Sequence, residues 1–151
     1  MGEVMRLLKE SILVHEIMSR PVVSAGIDEN ILGIAKKMKR AKVGSVIIFD
    51  GSKPVGIITE RDIVRRAIAS GRMKITSKAK AIMSKPLITI KSGETLERAA
   101  DFMVNKRVKK LGVLEGKGKL VGIVSESDII RNANYLIDVL KELIATGYTG
   151  D

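Results

Sequence analysis

The chain has no cysteine and no tryptophan, one histidine, three prolines, and only two tyrosines and two phenylalanines in 151 residues. Without thiols there is no disulfide framework, no thiolate metal site and no cysteine nucleophile. An aromatic content of 3% leaves no platform of the kind on which single-strand binders stack bases. No run reaches the roughly 18 apolar residues of a membrane span. Glu3, Arg6, Lys9 and Glu10 occupy the stretch where a signal peptide would carry its apolar core. The expectation is a cytoplasmic protein that meets no membrane. Acidic residues are also scarce: 17, against 27 lysines and arginines, for a formal net charge of +10 and a pI near 9.9. That balance favours an anionic partner, whether nucleic acid, a phosphate-bearing ligand or an acidic protein surface.

What is present is a soluble globular balance, 45% hydrophobic and 29% charged, arranged as a doubling. Met18-Ser19-Arg20-Pro21 returns 65 positions later as Met83-Ser84-Lys85-Pro86. At the same offset Ile31, Ile34, Ala35 and Met38 become Leu96, Ala99, Ala100 and Met103, so the buried face of a helix is copied too. After the turns at Asp50-Gly51 and Glu115-Gly116 the offset grows by one, which predicts one extra residue in the second hairpin loop. A unit of about 60 residues buries only about 60% of its unfolded surface. Two such units therefore have to lean on each other.

Each repeat reads as strand, helix, strand, strand, helix, an α+β chain built of α/β-type repeats. Pro21 and Pro86 start short extended pieces at 22–24 and 87–89. Helices are predicted from Glu29 to Arg40 and from Glu94 to Lys106, the second capped by Ser92. The unbroken apolar runs Ser45 to Phe49 and Leu111 to Leu114 read as strands covered on both faces. They pair with Val55 to Ile58 and Leu120 to Val124 across glycine turns. The last helices run from Glu60 to Ser70, closed by Gly71, and from Glu126 to Ala145, closed by Gly147. Val4, Leu7, Leu8 and Ile12 have amphipathic helical spacing. The predicted division is an N-terminal helix over 1–11, a first repeat over 12–71, a linker over 72–78, a second repeat over 79–145 and a tail over 146–151.

The chemistry-bearing feature is the strand end. Val55-Gly56-Ile57-Ile58-Thr59-Glu60-Arg61-Asp62 and Val121-Gly122-Ile123-Val124-Ser125-Glu126-Ser127-Asp128 each finish a strand on a hydroxyl, with an aspartate three positions on. One reading is helix capping, worth about 0.5–2 kcal/mol per helix. The other is a ligand site: Gly56 and Gly122 let something approach the backbone, and the strand end faces a helix N-terminus, which favours anions.

These units, with Ile17-Met18-Ser19-Arg20-Pro21 and Gly44-Ser45-Val46-Ile47-Ile48, closely resemble the cystathionine β-synthase (CBS) domain over residues 12 to 145. The resemblance implies a tandem pair forming a pseudo-twofold module with two clefts that take adenosine-containing ligands. Thr59 and Ser125 then match a hydroxyl that fixes ribose or phosphate, and Asp62 and Asp128 a carboxylate that grips the ribose diol. That match is chemically sound, because an ionised aspartate accepts from both sugar hydroxyls. Val22 and Ile88 match a segment packing on adenine, Ile57 and Ile123 the opposite wall. Lys109 and Lys110 sit where phosphate is met, unless they belong only to a solvated basic face with Lys106 and Arg107. Gly44 and Ser45 replace them in the first copy, where Arg61 and Arg65 are expected to compensate. Two unequal clefts follow, the one with the lysines favouring phosphate.

The implied function is a regulatory sensor of AMP, ADP or ATP with no catalysis, needing no cofactor beyond that regulatory nucleotide and no metal. His15 has no triad partner, and no nucleophile or general base accompanies the aspartates. S-adenosylmethionine or NAD is the alternative ligand, and nucleic-acid binding through the basic clusters the alternative function. Ile129, Ile130, Ala133, Ile137, Leu140 and Ile144 make a longer apolar stripe than one small unit needs. A homodimer through these helices is expected, the disc-like assembly common in the family, acting on a regulated protein the sequence does not name.

Overall fold

The two uninterrupted apolar runs form the central strands of two three-stranded sheets in a computed structural model that describes residues 12–146. The first half contains α1 (Val14–Ile17), β1 (Ser24–Gly26), α2 (Ile31–Ala41), β2 (Ser45–Asp50), β3 (Lys53–Thr59) and α3 (Glu60–Asp62). α3 runs on directly as a π-helical stretch, Ile63–Ile68. A 3₁₀ turn (Ala79–Ala81) leads to β4 (Thr89–Lys91), α4 (Leu96–Lys106), β5 (Lys110–Glu115), β6 (Lys119–Ser125) and α5 (Glu126–Ala145). In each sheet the first strand is parallel to the second and the second antiparallel to the third. Val46, Ile47 and Ile48 are fully buried, as are Leu111 and Val113. The β2–β3 turn has two residues between strands and the β5–β6 turn three. Gly51, Gly116 and Gly118 hold the positive φ that these turns need.

Several boundaries differ from the sequence reading. The first strands lie two residues later than predicted, at 24–26 and 89–91. The helices begin at Ile31 and Leu96, capped by Asn30 and Thr95 rather than by Ser92. Glu29 is spent on the turn before the helix, its carboxylate accepting from the Gly26 N–H at 2.7 Å. Ser92 is held at the strand edge, its N–H donating to the Leu114 carbonyl at 2.8 Å. Gly71 closes its helix as expected, with φ +67 and an N–H to the Ile68 carbonyl. The predicted helix over 1–11 and the Gly147 cap lie outside the described residues.

The repeats are exchanged at their N-terminal edges. Val14, fully buried, belongs to the core of the second half with Ile90, Ala99, Leu111, Val113 and Val124. Ala79 and Ile82 complete the core of the first half with Ile34, Val46, Ile48 and Ile58. Backbone bonds fix both arms: Leu96 N–H to the Ile12 carbonyl at 2.8 Å, and Ile31 N–H to the Ser77 carbonyl at 2.9 Å. Residues 72–78, predicted as a linker, are thereby packed on the start of α2. Burying a residue such as Val14 contributes roughly 1.5–3 kcal/mol, and the half that gains it is the second, although Val14 leads into the first in sequence.

The arms continue into the opposite sheets. Ser84 exchanges backbone hydrogen bonds with Ile57 of β3 (2.9 and 3.0 Å), and Ser19 does the same with Ile123 of β6 (2.8 and 3.0 Å). This explains Gly56 and Gly122. The backbone that approaches them is the arm of the other repeat, not a ligand: a Cβ on Gly56 would lie 2.7 Å from the Ser84 carbonyl oxygen, and one on Gly122 3.0 Å from that of Ser19.

Candidate ligand clefts

The exchange of arms brings each repeat's strand-end motif against the other repeat's extended segment. Thr59, Arg61, Asp62, Arg65 and Ile57 of the first half line a cleft of about 730 Å³ with Ile88, Lys109 and Lys110 of the second. Ser125, Asp128 and Ile123 line a smaller one of about 220 Å³ with Val22, and Lys110 borders this cleft too. Ligand pockets usually run from about 300 to 1,000 Å³. The larger cleft falls within that range and the smaller below it.

At both strand ends the local geometry is a capping box. Asp62 Oδ2 accepts from the Thr59 N–H at 2.9 Å and from its hydroxyl at 3.1 Å, while Thr59 Oγ1 accepts from the Asp62 N–H at 3.3 Å. Asp128 Oδ2 accepts from the Ser125 N–H at 2.8 Å, and Ser125 Oγ from the Asp128 N–H at 3.2 Å. Both aspartates are buried. Capping and cleft-lining are therefore not alternatives: one carboxylate oxygen serves the helix, and the other keeps acceptor capacity. Among the described residues Asp62 Oδ1 has one ion-pair partner, Arg66 Nε at 3.7 Å, whereas Asp128 Oδ1 accepts a hydrogen bond from Arg131 Nη1 at 3.4 Å. The capping bond orients each carboxylate, and the second oxygen keeps a lone pair able to accept a further donor.

The cations are distributed unevenly. Arg61 and Arg65 stand in the same cleft as Lys109 and Lys110, so they do not compensate for Gly44 and Ser45 in the other. The arm exchange is the reason: it places Gly44 and Ser45 beside Ser125 and Asp128. The larger cleft also gains Arg66 and Arg107. Arg66 is committed, its Nη1 donating to the Ile82 carbonyl at 3.0 Å, and Lys109 lies 4.0 Å from Glu126. Arg61, Arg65, Arg107 and Lys110 have no side-chain ion pair or hydrogen bond among the described residues. A site with four uncommitted cations against two carboxylates, Asp62 and Glu60, can take a multiply charged anion.

Sequence reasoning missed several lining residues. Val22 and Ile88 are not counterparts. Val23 and Ile88 hold the same place, their carbonyls accepting from Ile47 and Gly112 N–H at 3.0 Å each, so Val22 corresponds to Leu87. Val23 lines the smaller cleft and Leu87 the larger, and strict use of the 65-residue offset would have found both. Lys42 and Arg107 are the other omission. They occupy equivalent helix ends with φ 55 and 54, in the left-handed region where glycine is the inexpensive residue. Each nevertheless is a long cation lining a cleft.

A doubled sheet-and-helix unit with exchanged arms and interfacial clefts defines a paired-repeat ligand-binding module. The chain belongs to the CBS domain family, whose model matches residues 14–69 and 79–135. It is 35% identical over 133 residues to an uncharacterized protein of Methanopyrus kandleri, covering 87% of this chain and 68% of that protein. Among solved structures it is similar to a CBS domain protein of Pyrobaculum aerophilum complexed with AMP. That match has 25% identity, covers 86% of this chain and 99% of the other, and has a TM-score of 0.73. It is also similar to a CBS domain pair in complex with 5′-methylthioadenosine and S-adenosyl-L-methionine. There the identity is 28%, the coverage 83% and 98%, and the TM-score 0.72. Among the described residues no helix is long and apolar enough to cross a membrane.

Proposed function

We propose that the chain is a regulatory module that senses an adenosine nucleotide, with the larger cleft as its principal site and no chemistry of its own. The observation that carries this reading is the half-committed carboxylate of Asp62, set beside apolar Ile57, Leu87 and Ile88 and ringed by uncommitted cations. In this reading the ribose hydroxyls donate to Asp62, the base lies between the apolar walls, and the phosphates meet Arg65, Arg107 and Lys110. The similar structures that hold AMP or S-adenosyl-L-methionine support the ligand class. The cation count favours phosphate over the sulfonium compound, since a positively charged ligand would face repulsion there.

Binding acts by favouring one relative setting of the two halves, which a partner then reads. The active form in this reading is a homodimer through the helices, for which exposed Ile130, Ile137 and Ile144 supply an apolar stripe on α5; the Leu140 side chain lies outside the described ones. Thermal melting with AMP, ADP, ATP, S-adenosylmethionine and NAD at millimolar concentration tests the proposal. A nucleotide bound at about 10 μM and present at 1 mM adds about 2.7 kcal/mol. Stabilisation rising with phosphate number is expected, and no shift with any of the five would reject the reading.

A further inference from the structure

The two clefts meet. Among the described residues they share Gly44 and Lys110, and the duplication changed both positions: at the 65-residue offset Gly44 corresponds to Lys109, and Lys110 to Ser45. The strand register agrees, with Ser45 opposite Thr59 in the first sheet and Lys110 opposite Ser125 in the second. A faithful copy would have put a lysine at both positions or at neither. Instead Ser45 is buried, and Lys110 is half-buried with no side-chain ion pair or hydrogen bond among the described residues. Packing does not require glycine at 44, since a Cβ there would be in ordinary contact, 3.6 Å from the Glu60 carboxylate. Its absence leaves the boundary between the clefts with one side chain on it, that of Lys110.

The clefts depend on that side chain unequally. Besides Lys110 the larger has Arg61, Arg65, Arg66, Arg107 and Lys109, against Glu60 and Asp62. The smaller has Lys42, against Asp128. Without Lys110 the larger cleft stays strongly positive. In the smaller, Lys42 and Asp128 then cancel, and no net charge is left to hold a phosphate. Lysine carries a compact charge on a flexible four-carbon stem, so its ammonium can follow whichever anion attracts it more.

We propose that Lys110 couples the two clefts with a negative sign, so that a polyphosphate in the larger cleft weakens the binding of a nucleoside monophosphate in the smaller. The inference rests on the nucleotide reading above and adds the regulation of one site by the other. A triphosphate draws the shared ammonium toward the larger cleft, and the smaller loses the cation that gave it an excess of positive charge. Two phosphate groups within reach of the same lysine also lie close to each other, and one positive charge neutralises only one of them. A nucleoside in the larger cleft makes no such demand and leaves the smaller cleft as it was. Because coupling is reciprocal, a monophosphate in the smaller cleft weakens the triphosphate by the same factor.

Isoleucine-methyl NMR reads the clefts separately, since Ile57 lines the larger and Ile123 the smaller. The full chain is loaded with ATP or with adenosine until Ile57 is saturated, then titrated with AMP while Ile123 is followed. Half-saturation at Ile123 should need roughly tenfold more AMP after ATP than after adenosine, equivalent to about 1.4 kcal/mol of coupling. In Lys110→Met, which keeps the length of the stem and removes the charge, the two titrations should agree within about twofold. Both should match the weaker, ATP-loaded affinity of the wild type. Lys110→Arg, which keeps the charge, should keep the difference. Equal half-saturation after ATP and adenosine in the wild type would overturn the coupling, as would tighter AMP binding after ATP. A tenfold difference that survives in Lys110→Met would overturn the role of the lysine. If neither ATP nor adenosine moves Ile57, the nucleotide reading itself fails.

Discussion

Gly56 and the Ser84 carbonyl are in such close contact that a methyl group on Gly56 would sit 2.7 Å from the oxygen. Ser84 also bonds the backbone of Ile57, so neither partner can withdraw without breaking the join between the halves. Gly56→Ala should cost about 1–3 kcal/mol as an overpacking change, measured by denaturant unfolding. Gly122→Ala should cost less, because its nearest neighbour is the Met18 side chain, which can turn aside.

Asp62→Asn retains an oxygen able to accept from the Thr59 N–H, so the capping box survives and stability should change by less than about 1 kcal/mol. The charge-assisted acceptor for a sugar hydroxyl is lost. Calorimetric titration should show ribonucleotide affinity falling by roughly tenfold, or about 1.4 kcal/mol. Asp62→Ala, by contrast, should lose both properties. Equal binding by wild type and Asp62→Asn would leave the carboxylate a cap and nothing more.

Arg107 offers a trade of stability against binding. It holds φ 54 at the end of α4, a conformation that costs a non-glycine residue roughly 1–2 kcal/mol. Arg107→Gly should therefore unfold at a higher temperature than the parent while binding triphosphate less tightly than before. A variant that neither gains stability nor loses affinity would show that the cation has no role in the cleft.

Lys110 borders both clefts, whereas Arg65 borders only the larger. Lys110→Ala should weaken ATP more than adenosine at either site, and Arg65→Ala should act on the larger site alone. Titrations that resolve two binding steps distinguish the two outcomes. Equal loss of adenosine and ATP in Lys110→Ala would withdraw the phosphate assignment.

Glu29 should contribute to acid sensitivity. Burial raises its pKa, but the Lys37 ammonium and the Gly26 N–H more than offset that, leaving it below the ordinary value of 4.5. A carboxyl depressed on folding stabilises the native state above its unfolded pKa, and that contribution is lost as pH falls through the folded value. Lys37→Met, which removes the 2.8 Å ion pair, should make melting temperature fall less steeply between pH 5 and pH 3. The same slope in both proteins would assign the acid response elsewhere.

Much of the fold was legible because duplication shows each pattern twice. The strand runs, the extra loop residue and the buried helix faces all follow from periodicity and offset, which are local properties. The arm exchange was not legible, since Val14 and Ala79 carry no mark saying which sheet they will cover. That omission propagated: without the exchange, Arg61 and Arg65 looked like substitutes for the lysines they in fact accompany. The capping residues erred for a different reason. Ser92 and Thr95 are both good caps, and only the strand-edge bond of Ser92 decides between them.

The crossed arms carry a consequence for how the molecule can be divided. Severing the peptide chain anywhere in 72–78 would leave two fragments that still clasp each other, because each retains a piece of the other's interior. Cutting away everything before Pro21 would instead open the far half, removing Val14 from among Leu111 and Val124. A fragment consisting of a single repeat has an arm with no sheet of its own to lie on, and can complete itself only by borrowing one from a twin.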